Sequence, residues 1–489
     1  MAESAPPPSA LVLGGGFAGI AASVALAGLG VRVTLLERRT MLGGRASSFV
    51  DAVTGLTQDA CQHCTLGCCT HLAALLEKLG VHQHVKCQDT IAFRDALGRR
   101  WDLRGTRAPA PFHAARSFVA MPYLGLTEKA ATARALLSLL VRPATESDYE
   151  ATLGAWLRRH GTPERAIEAF IGPVVASACN ETVDDVALGF AHKVLRDGFL
   201  AARTAFHLGI ADRPMGDLLT EPVGAFLAAR GSALVAGCTV RQMCRGSGVG
   251  WRAEAVDGRC FEAGRLILAV PFDQAARICA GLGESGRSLA ATWEGLHWSP
   301  ITGVHLWYDR PVECPPALAL PGSASQWLFS KPPSFGRMPD EAGYLTAAIS
   351  ADRCMAALPG SDIAALVAED ARQALPSIRD ARLCRRRVVK ERKATFAAMP
   401  GAEQLRPRQR TPIPGLYLAG DWTRTGWPST MEGATRSGNV AASELLADLG
   451  LRRPAMPPDL AADWPAQALM GVGKLLAAVA YLGSGSRST

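Results

Sequence analysis

The chain has 489 residues, 48% apolar and 20% charged, with a formal net charge of +8. That length exceeds what one compact core fills, so two or three domains are expected, and the composition excludes a disordered chain. The basic excess is dispersed, its densest run being Arg385-Arg386-Arg387, and aromatic residues make up only 6%; this suits phosphate ligands or an anionic membrane surface and excludes nucleic acid as the expected partner.

The opening MAESAPPPS has neither the charged segment nor the cleavage site of a secretory signal. Thirteen cysteines, an odd number scattered along the chain, predict reduced thiols in a cytoplasm. The stretch 11–33 is apolar enough to imitate a membrane span but is studded with glycine. It reads instead as a strand, Leu11 to Leu13, the turn Gly14-x-Gly16-x-x-Gly19, an alanine-rich helix, and a second strand from Val31 to Leu36 ending at Glu37. Gly14 permits the tight turn, Gly16 lets the backbone approach a pyrophosphate, and Gly19 lets helix pack on strand. The helix start offers free N–H groups to phosphate. Glu37, followed by Arg38, stands where a carboxylate accepts from ribose hydroxyls. A dinucleotide-binding domain is predicted. Gly43, Gly44 and Arg45 follow within eight residues of the acid. They resemble the GG motif of flavoproteins of the amine oxidase and phytoene desaturase superfamily. That resemblance implies FAD, with Gly44 and Arg45 at its pyrophosphate.

Residues 59–71, DACQHCTLGCCTH, hold four cysteines and two histidines. A metal site is one reading and a redox dithiol another. Yet no second ligand pair stands at finger spacing, and adjacent Cys68 and Cys69 are awkward joint ligands. A helix is predicted from near Thr70, with Leu72, Leu75, Leu76 and Leu79 on one face, so packed and metal-free thiols are expected. Gln62-His63, then Leu66-Gly67-Cys68-Cys69-Thr70-His71 and Leu75-Leu76-x-x-Leu79-Gly80, resemble hydroxysqualene dehydroxylases, the squalene-associated FAD-dependent desaturases of bacterial hopanoid clusters. Cys61 stands where many of that family have glycine. The superfamily lays this segment along the flavin.

Residues 231–271 read as alternating strands ending in LILAVP, with Val240 where the superfamily places a backbone contact to adenine. Near the end, Leu416 to Ala419 reads as a strand, Gly420-Asp421 as a turn, and Met431 onward as a helix with Ala434, Val440, Ala441 and Leu445 on its apolar side. The run from Gly420 to Gly438 resembles the C-terminal flavin motif of the same families. There the aspartate, here Asp421, holds the ribityl-phosphate region. Backbone N–H groups at the helix start, here Met431 and Glu432, approach flavin N1 and O2, where a helix N-terminus stabilises negative charge. The expected fold is α/β: a Rossmann-like FAD-binding domain of the amine oxidase type, with an inserted α+β substrate domain. The cofactor domain takes 10–89, 221–271 and 401–450, the substrate domain 90–220 and 272–400, and 451–489 forms a tail.

The resemblance implies reduction of hydroxysqualene, a C30 isoprenoid, to squalene. The allylic hydroxyl leaves as water with help from a general acid, and reduced FAD supplies hydride. His63 is the first candidate for the acid and Asp59 the second; an orienting role in the loop is the plain alternative for His63. Trp427 and Thr430 precede the flavin helix on the side that faces substrate in the superfamily. The indole of Trp427 is expected to stabilise positive charge or simply to pack. Electrons must come from an external donor, since no second nucleotide site is evident. A carotenoid desaturase and an amine oxidase are alternative enzymes, and a prenyl-lipid escort protein is a non-enzymatic one, which the complete signature from Asp421 to Glu432 disfavours. Residues 468–482 are apolar apart from Lys474 and too short for a comfortable span. They predict an interfacial helix inserting Leu475, Leu476, Val479 and Tyr481, or else one docked on the protein itself. The former implies an enzyme held peripherally at the inner face of the membrane.

Overall fold

The computed structural model describes residues 7–95, 97–246 and 250–485. Its first layer is a parallel sheet of five strands in the order Ala233–Val235, Arg32–Leu36, Ser9–Leu13, Arg265–Leu268 and Leu416–Leu418. These strands read as continuous apolar runs because both faces of the sheet are covered. Ala10, Val12, Val33, Leu35, Ile267 and Tyr417 pack against helices Phe17–Ala27, Met215–Ala228 and Met431–Asp448. Leu11, Leu13, Leu36, Leu266, Leu268 and Leu418 face the other way, toward Trp251, Ala253 and Ala255 of a three-stranded antiparallel sheet.

The second layer is a seven-stranded sheet built from two distant pieces of chain. Its order is Leu383–Phe396, Trp298–Tyr308, Gly343–Ser350, Trp327–Ser330, Ala317–Ala319, Thr90–Arg94 and Arg100–Arg104. Helix Gly360–Ala374 covers one face through Ile363, Val367 and Ala371. This is the expected inserted domain. The expected boundary at 220 falls inside helix Met215–Ala228, whose Leu218, Leu219, Val223 and Leu227 pack on the nucleotide sheet. Strand Leu208–Ala211 also pairs with Cys64–Leu66 and Val85–Gln88, so the chain re-enters the cofactor domain by residue 208.

The tail forms helix Trp464–Gly485. Asp463 moors its start, accepting from the backbone N–H of Ala110 at 2.7 Å and of Arg203 at 3.2 Å. Ala466 is fully buried, and a Cβ on Gly473 would lie 1.8 Å from the Val141 carbonyl oxygen of helix Leu126–Val141. The first half is therefore docked on the protein, as the second of the two readings has it. Beyond it, Leu475 is 69% and Leu476 63% exposed. The side chains of Val479 and Tyr481 lie outside the described part. No helix among the described residues is long and apolar enough to cross a membrane.

Candidate cofactor and active site

The glycine turn closes as its spacing requires. Gly14 has φ +110°, and its N–H donates to the Leu36 carbonyl at 2.8 Å. A Cβ on Gly19 would lie 1.9 Å from the Gly14 carbonyl oxygen, so helix Phe17–Ala27 sits directly on the turn. Gly16 differs: a Cβ there would meet nothing nearer than Gly44 Cα at 3.8 Å. The Gly16 and Gly44 backbones thus flank a cradle at a helix start that no side chain caps. That is the setting a pyrophosphate needs.

Glu37 is buried at the end of its strand. It accepts from Gly15 N–H at 2.6 Å and Arg39 N–H at 2.8 Å. Arg38 points to solvent; Arg39 instead turns back to donate to the Gly44 carbonyl at 2.9 Å. The assignment of Arg38 to the cofactor is corrected on that ground. The strand ends at Leu36 and the chain bends through Arg38, Arg39 and Thr40, which turns the Arg39 side chain back toward Gly44. The strap 235–238 bonds to both sides of Glu37, through Glu37 N–H to Val235 O at 3.0 Å and Cys238 N–H to Glu37 O at 2.8 Å. Val240 begins the next strand, opposite Ala255.

Arg45 reaches across the chain. Its guanidinium pairs with Asp421 and donates to the Ala394 carbonyl at 2.9 Å. Ser429 Oγ donates to the other Asp421 oxygen. Beneath them Arg406, fully buried, donates to the carbonyls of Asp421 and Thr423 and pairs with Glu403 at 2.6 Å. Burial lowers its pKa, with Glu403 opposing. Thr430 caps the flavin-motif helix, accepting from Gly433 N–H at 3.0 Å. The Glu432 side chain caps a different helix. It accepts from the N–H groups of His71 and Leu72 at 3.1 and 2.8 Å and from Arg436 Nε at 2.6 Å. The Glu432 side chain is thereby committed to the protein, which leaves its main-chain N–H as the group expected at the cofactor. The cradle, the acid at the strand end and the paired Arg45 and Asp421 fit FAD.

Trp427 is not with His63. It packs with Cys68, Ala202 and Ala205 and lines a cavity of about 590 Å³ beneath the docked tail. Lys193 Nζ and the Arg436 guanidinium lie 5.0 and 4.9 Å from its ring. An indole already flanked by protein cations is not free to meet a substrate cation, which corrects that expectation.

The segment 57–66 runs between the two domains. Both oxygens of Asp59 are engaged inside the protein. One accepts from Ser48 Oγ at 2.7 Å and Met215 N–H at 2.9 Å, and the other lies 3.6 Å from Lys331 Nζ. Asp59 is a bracket between domains, not a group free to reach a substrate, which corrects its place as second acid. His63 lines a small cavity with Phe17, Thr65 and Met431, the last at the start of the flavin-motif helix. Its Nδ1 is buried without a partner. Burial lowers the imidazole pKa, the Asp59 charge opposing and the Lys331 charge adding to the fall. Burial pushes the thiols of Cys61 and Cys64 up to about 12. A hydrogen bond between Cys68 and Cys69 raises the first and lowers the second. All thirteen cysteines are free thiols. Among the described residues no group of three or more His, Cys, Asp and Glu is arranged to hold a metal ion.

A model of the family of flavin containing amine oxidoreductases matches residues 17–446. The chain is 30% identical to a hydroxysqualene dehydroxylase of Rhodopseudomonas palustris, over 89% of this chain and 98% of that protein. It is 27% identical to one of Sinorhizobium fredii, over 90% and 99%. An oxidoreductase from Methanosarcina mazei has the same fold, with a TM-score of 0.68 at 17% identity, covering 88% of this chain and 98% of that one.

Proposed function

We propose, from the premise that this chain belongs to the flavin containing amine oxidoreductase family, that it reduces hydroxysqualene to squalene. It is an FAD-dependent oxidoreductase. One observation carries the choice of substrate: His63 of the Gln62-His63 segment lines a cavity with Met431, in a chain similar along nine-tenths of its length to two hydroxysqualene dehydroxylases.

Reduced FAD, when bound, supplies a hydride. The chain's own residues do the rest. The Gly16–Gly44 cradle and Arg45 would hold the pyrophosphate, Glu37 the ribose and Asp421 the ribityl-phosphate region, and the N–H groups of Met431 and Glu432 would serve the flavin ring. His63 gives a proton to the allylic hydroxyl, which leaves as water with the electron pair of its C–O bond. The carbon left behind accepts the hydride. A dry site protects that electron-poor carbon. Cys61 and Cys64 suit it, because thiols held to a pKa of about 12 stay protonated and do not attack it.

A C30 hydrocarbon is nearly insoluble in water, so the enzyme gains by drawing it from a bilayer. Exposed Leu475 and Leu476, with Lys474 beside them, support docking of the distal tail on an anionic membrane surface at the cytoplasmic face. The deciding experiment mixes anaerobic, reduced holoenzyme with hydroxysqualene and oxidised holoenzyme with phytoene or an amine. Flavin should be reoxidised by hydroxysqualene, with squalene as product by mass spectrometry. Turnover of phytoene or an amine, with none of hydroxysqualene, would reject the reading.

A further inference from the structure

Helix Leu126–Val141 of the substrate domain leaves one stripe of its surface in water: Leu126, Ala130, Arg134 and Leu137, recurring every third or fourth residue. Val141 is the next position of that stripe. There the tail helix crosses, with Gly473 against the Val141 carbonyl oxygen. The tail turns a stripe of its own outward, Trp464, Ala468, Val472 and Leu475, on the side away from buried Ala466 and Gly473. Two hydrogen bonds bring a third piece to this corner. Asp463 accepts from Ala110 N–H at 2.7 Å, which holds the Phe112 segment at the foot of the tail. Lys129 Nζ donates to the Val119 carbonyl at 2.6 Å, which ties helix Ala115–Ala120 to helix Leu126–Val141. Leu126 is 79%, Trp464 73% and Val119 62% exposed. Single exposed apolar side chains are ordinary, but large ones gathered from three segments that touch are not.

Charge says what covers them. The segments 105–137 and 463–478 carry two acids, Glu128 and Asp463. Both are spent on backbone, Glu128 accepting from Gly125 N–H at 2.7 Å and Asp463 from the N–H groups of Ala110 and Arg203. The exposed cations Arg107, Arg116, Arg134 and Lys474 have no free acid of these segments to neutralise them. A second copy of the chain is a poor occupant, because an isologous contact sets the same patch against itself and brings these cations face to face. Exposed apolar side chains among unneutralised cations match the boundary of an anionic bilayer. The apolar groups enter the acyl region, and the cations meet lipid phosphate.

We propose that the substrate domain itself docks on an anionic bilayer, through Phe112, Val119, Leu126 and Leu137 beside the docked half of the tail; this rests on the reading that the tail meets a membrane, and extends that contact to the body of the enzyme. The distal tail is then one of several contacts and not a lone tether. Contacts at the tail and at Val119 and Leu126 together fix how the enzyme lies, with the exposed stripe of helix Leu126–Val141 toward the lipid.

The test is flotation of full-length holoenzyme with vesicles of phosphatidylcholine, alone or mixed with phosphatidylglycerol. Wild type should bind the mixed vesicles, and less tightly as salt rises. Val119→Ser combined with Leu126→Ser removes two apolar contacts and should weaken that binding about 10-fold or more. Flavin content and melting temperature should not change, because both side chains lie in water. Arg116→Glu combined with Arg134→Glu should weaken binding to the mixed vesicles about 10²-fold at low salt, since a basic residue near an anionic surface is worth about five-fold. It should leave any binding to phosphatidylcholine alone unchanged. Wild-type affinity in the Val119→Ser, Leu126→Ser variant, with binding still lost in Leu475→Ser with Leu476→Ser, overturns the proposal and leaves the tail reading standing. So does a concentration-dependent dimer in the absence of lipid that Val119→Ser with Leu126→Ser separates, because the face is then an interface between copies. Wild-type protein that floats with neither vesicle overturns both.

Discussion

Gly16 has open space where a side chain would begin, on the wall of the cradle that fits the pyrophosphate. Gly16→Val fills that space from one end of the chain, and Asp421→Ala unpairs Arg45 from the other. Each variant should purify largely colourless, and flavin absorbance per chain at the wild-type ratio in either would break the bipartite site. His63→Ala should keep its flavin yet slow single-turnover oxidation by hydroxysqualene about 10²-fold, the usual worth of a general acid. A wild-type rate would remove His63 from the reaction. At this scale much was legible. Glu37 and the glycines are tied to a strand–turn–helix whose spacing carries its own reason. Arg39 was not legible in place of Arg38, because the bend after Leu36 that turns it toward Gly44 leaves no periodic pattern. Lys331 was not legible. A lone lysine after a strand has no signature until the fold brings Asp59 and Phe335 to it.

Helices show the same division. The helix at Thr70–Lys78 was legible from Leu72, Leu75 and Leu76, all buried. That Glu432, some 360 residues on, would cap it was not, because capping across helices leaves no local pattern. Glu432→Ala leaves two buried N–H groups and Arg436 without their carboxylate. It should cost about 3 kcal/mol or more in chemical denaturation, and a loss under 1 kcal/mol would show the cap to be redundant. The tail helix was legible as amphiphilic, but its docking was not, since the closeness at Gly473 depends on the Val141 backbone it meets. Leu475→Ser with Leu476→Ser should weaken binding to anionic liposomes and leave the melting temperature unchanged, because both side chains lie in water. A truncation ending at Asp463 keeps the bonds to Ala110 and Arg203. It should retain flavin and lose most liposome binding; full binding would remove the tail from any membrane role.

For the molecule as a whole, burial of histidine sets the response to acid. His71 and His305 are each held to about 4, first by burial and then by Arg436 and Lys331 respectively. His71 Nδ1 accepts from Asn439 at 3.0 Å, which a protonated ring cannot do, and His305 Nδ1 shares a hydrogen bond with Tyr344 Oη at 2.8 Å. The unfolded chain keeps the ordinary value of 6.5, so between about 6.5 and 4 it binds more protons than the fold. Stability is therefore full above about 6.5 and declines as the pH falls toward 4, by up to about 3 kcal/mol per histidine and less where solvent screens the ring. The melting temperature should drop between pH 7.5 and pH 5, and drop less in His305→Gln; an equal drop in both would reassign the effect. The two-domain plan was legible from motifs at the chain ends. The seam at 220 was not, because the apolar face of Met215–Ala228 says that the helix packs but not on which sheet.

The order of strands in the nucleotide sheet has a consequence for how the protein is born. The central strand, Ser9–Leu13, leaves the ribosome first, and the edge strand Leu416–Leu418 leaves last. At 5–20 residues per second, roughly 20 to 80 seconds separate them. Once made, Arg265–Leu268 waits roughly 7 to 30 seconds for a neighbour on its outer side, and a bare parallel edge invites pairing with another nascent chain. On the cofactor site proposed above, FAD binding also waits for Asp421 and the helix at Met431–Asp448, which are made last. That order predicts cofactor loading after synthesis, and a chain released short of residue 418 is expected to fall to chaperones and proteases with no flavin to hold it together.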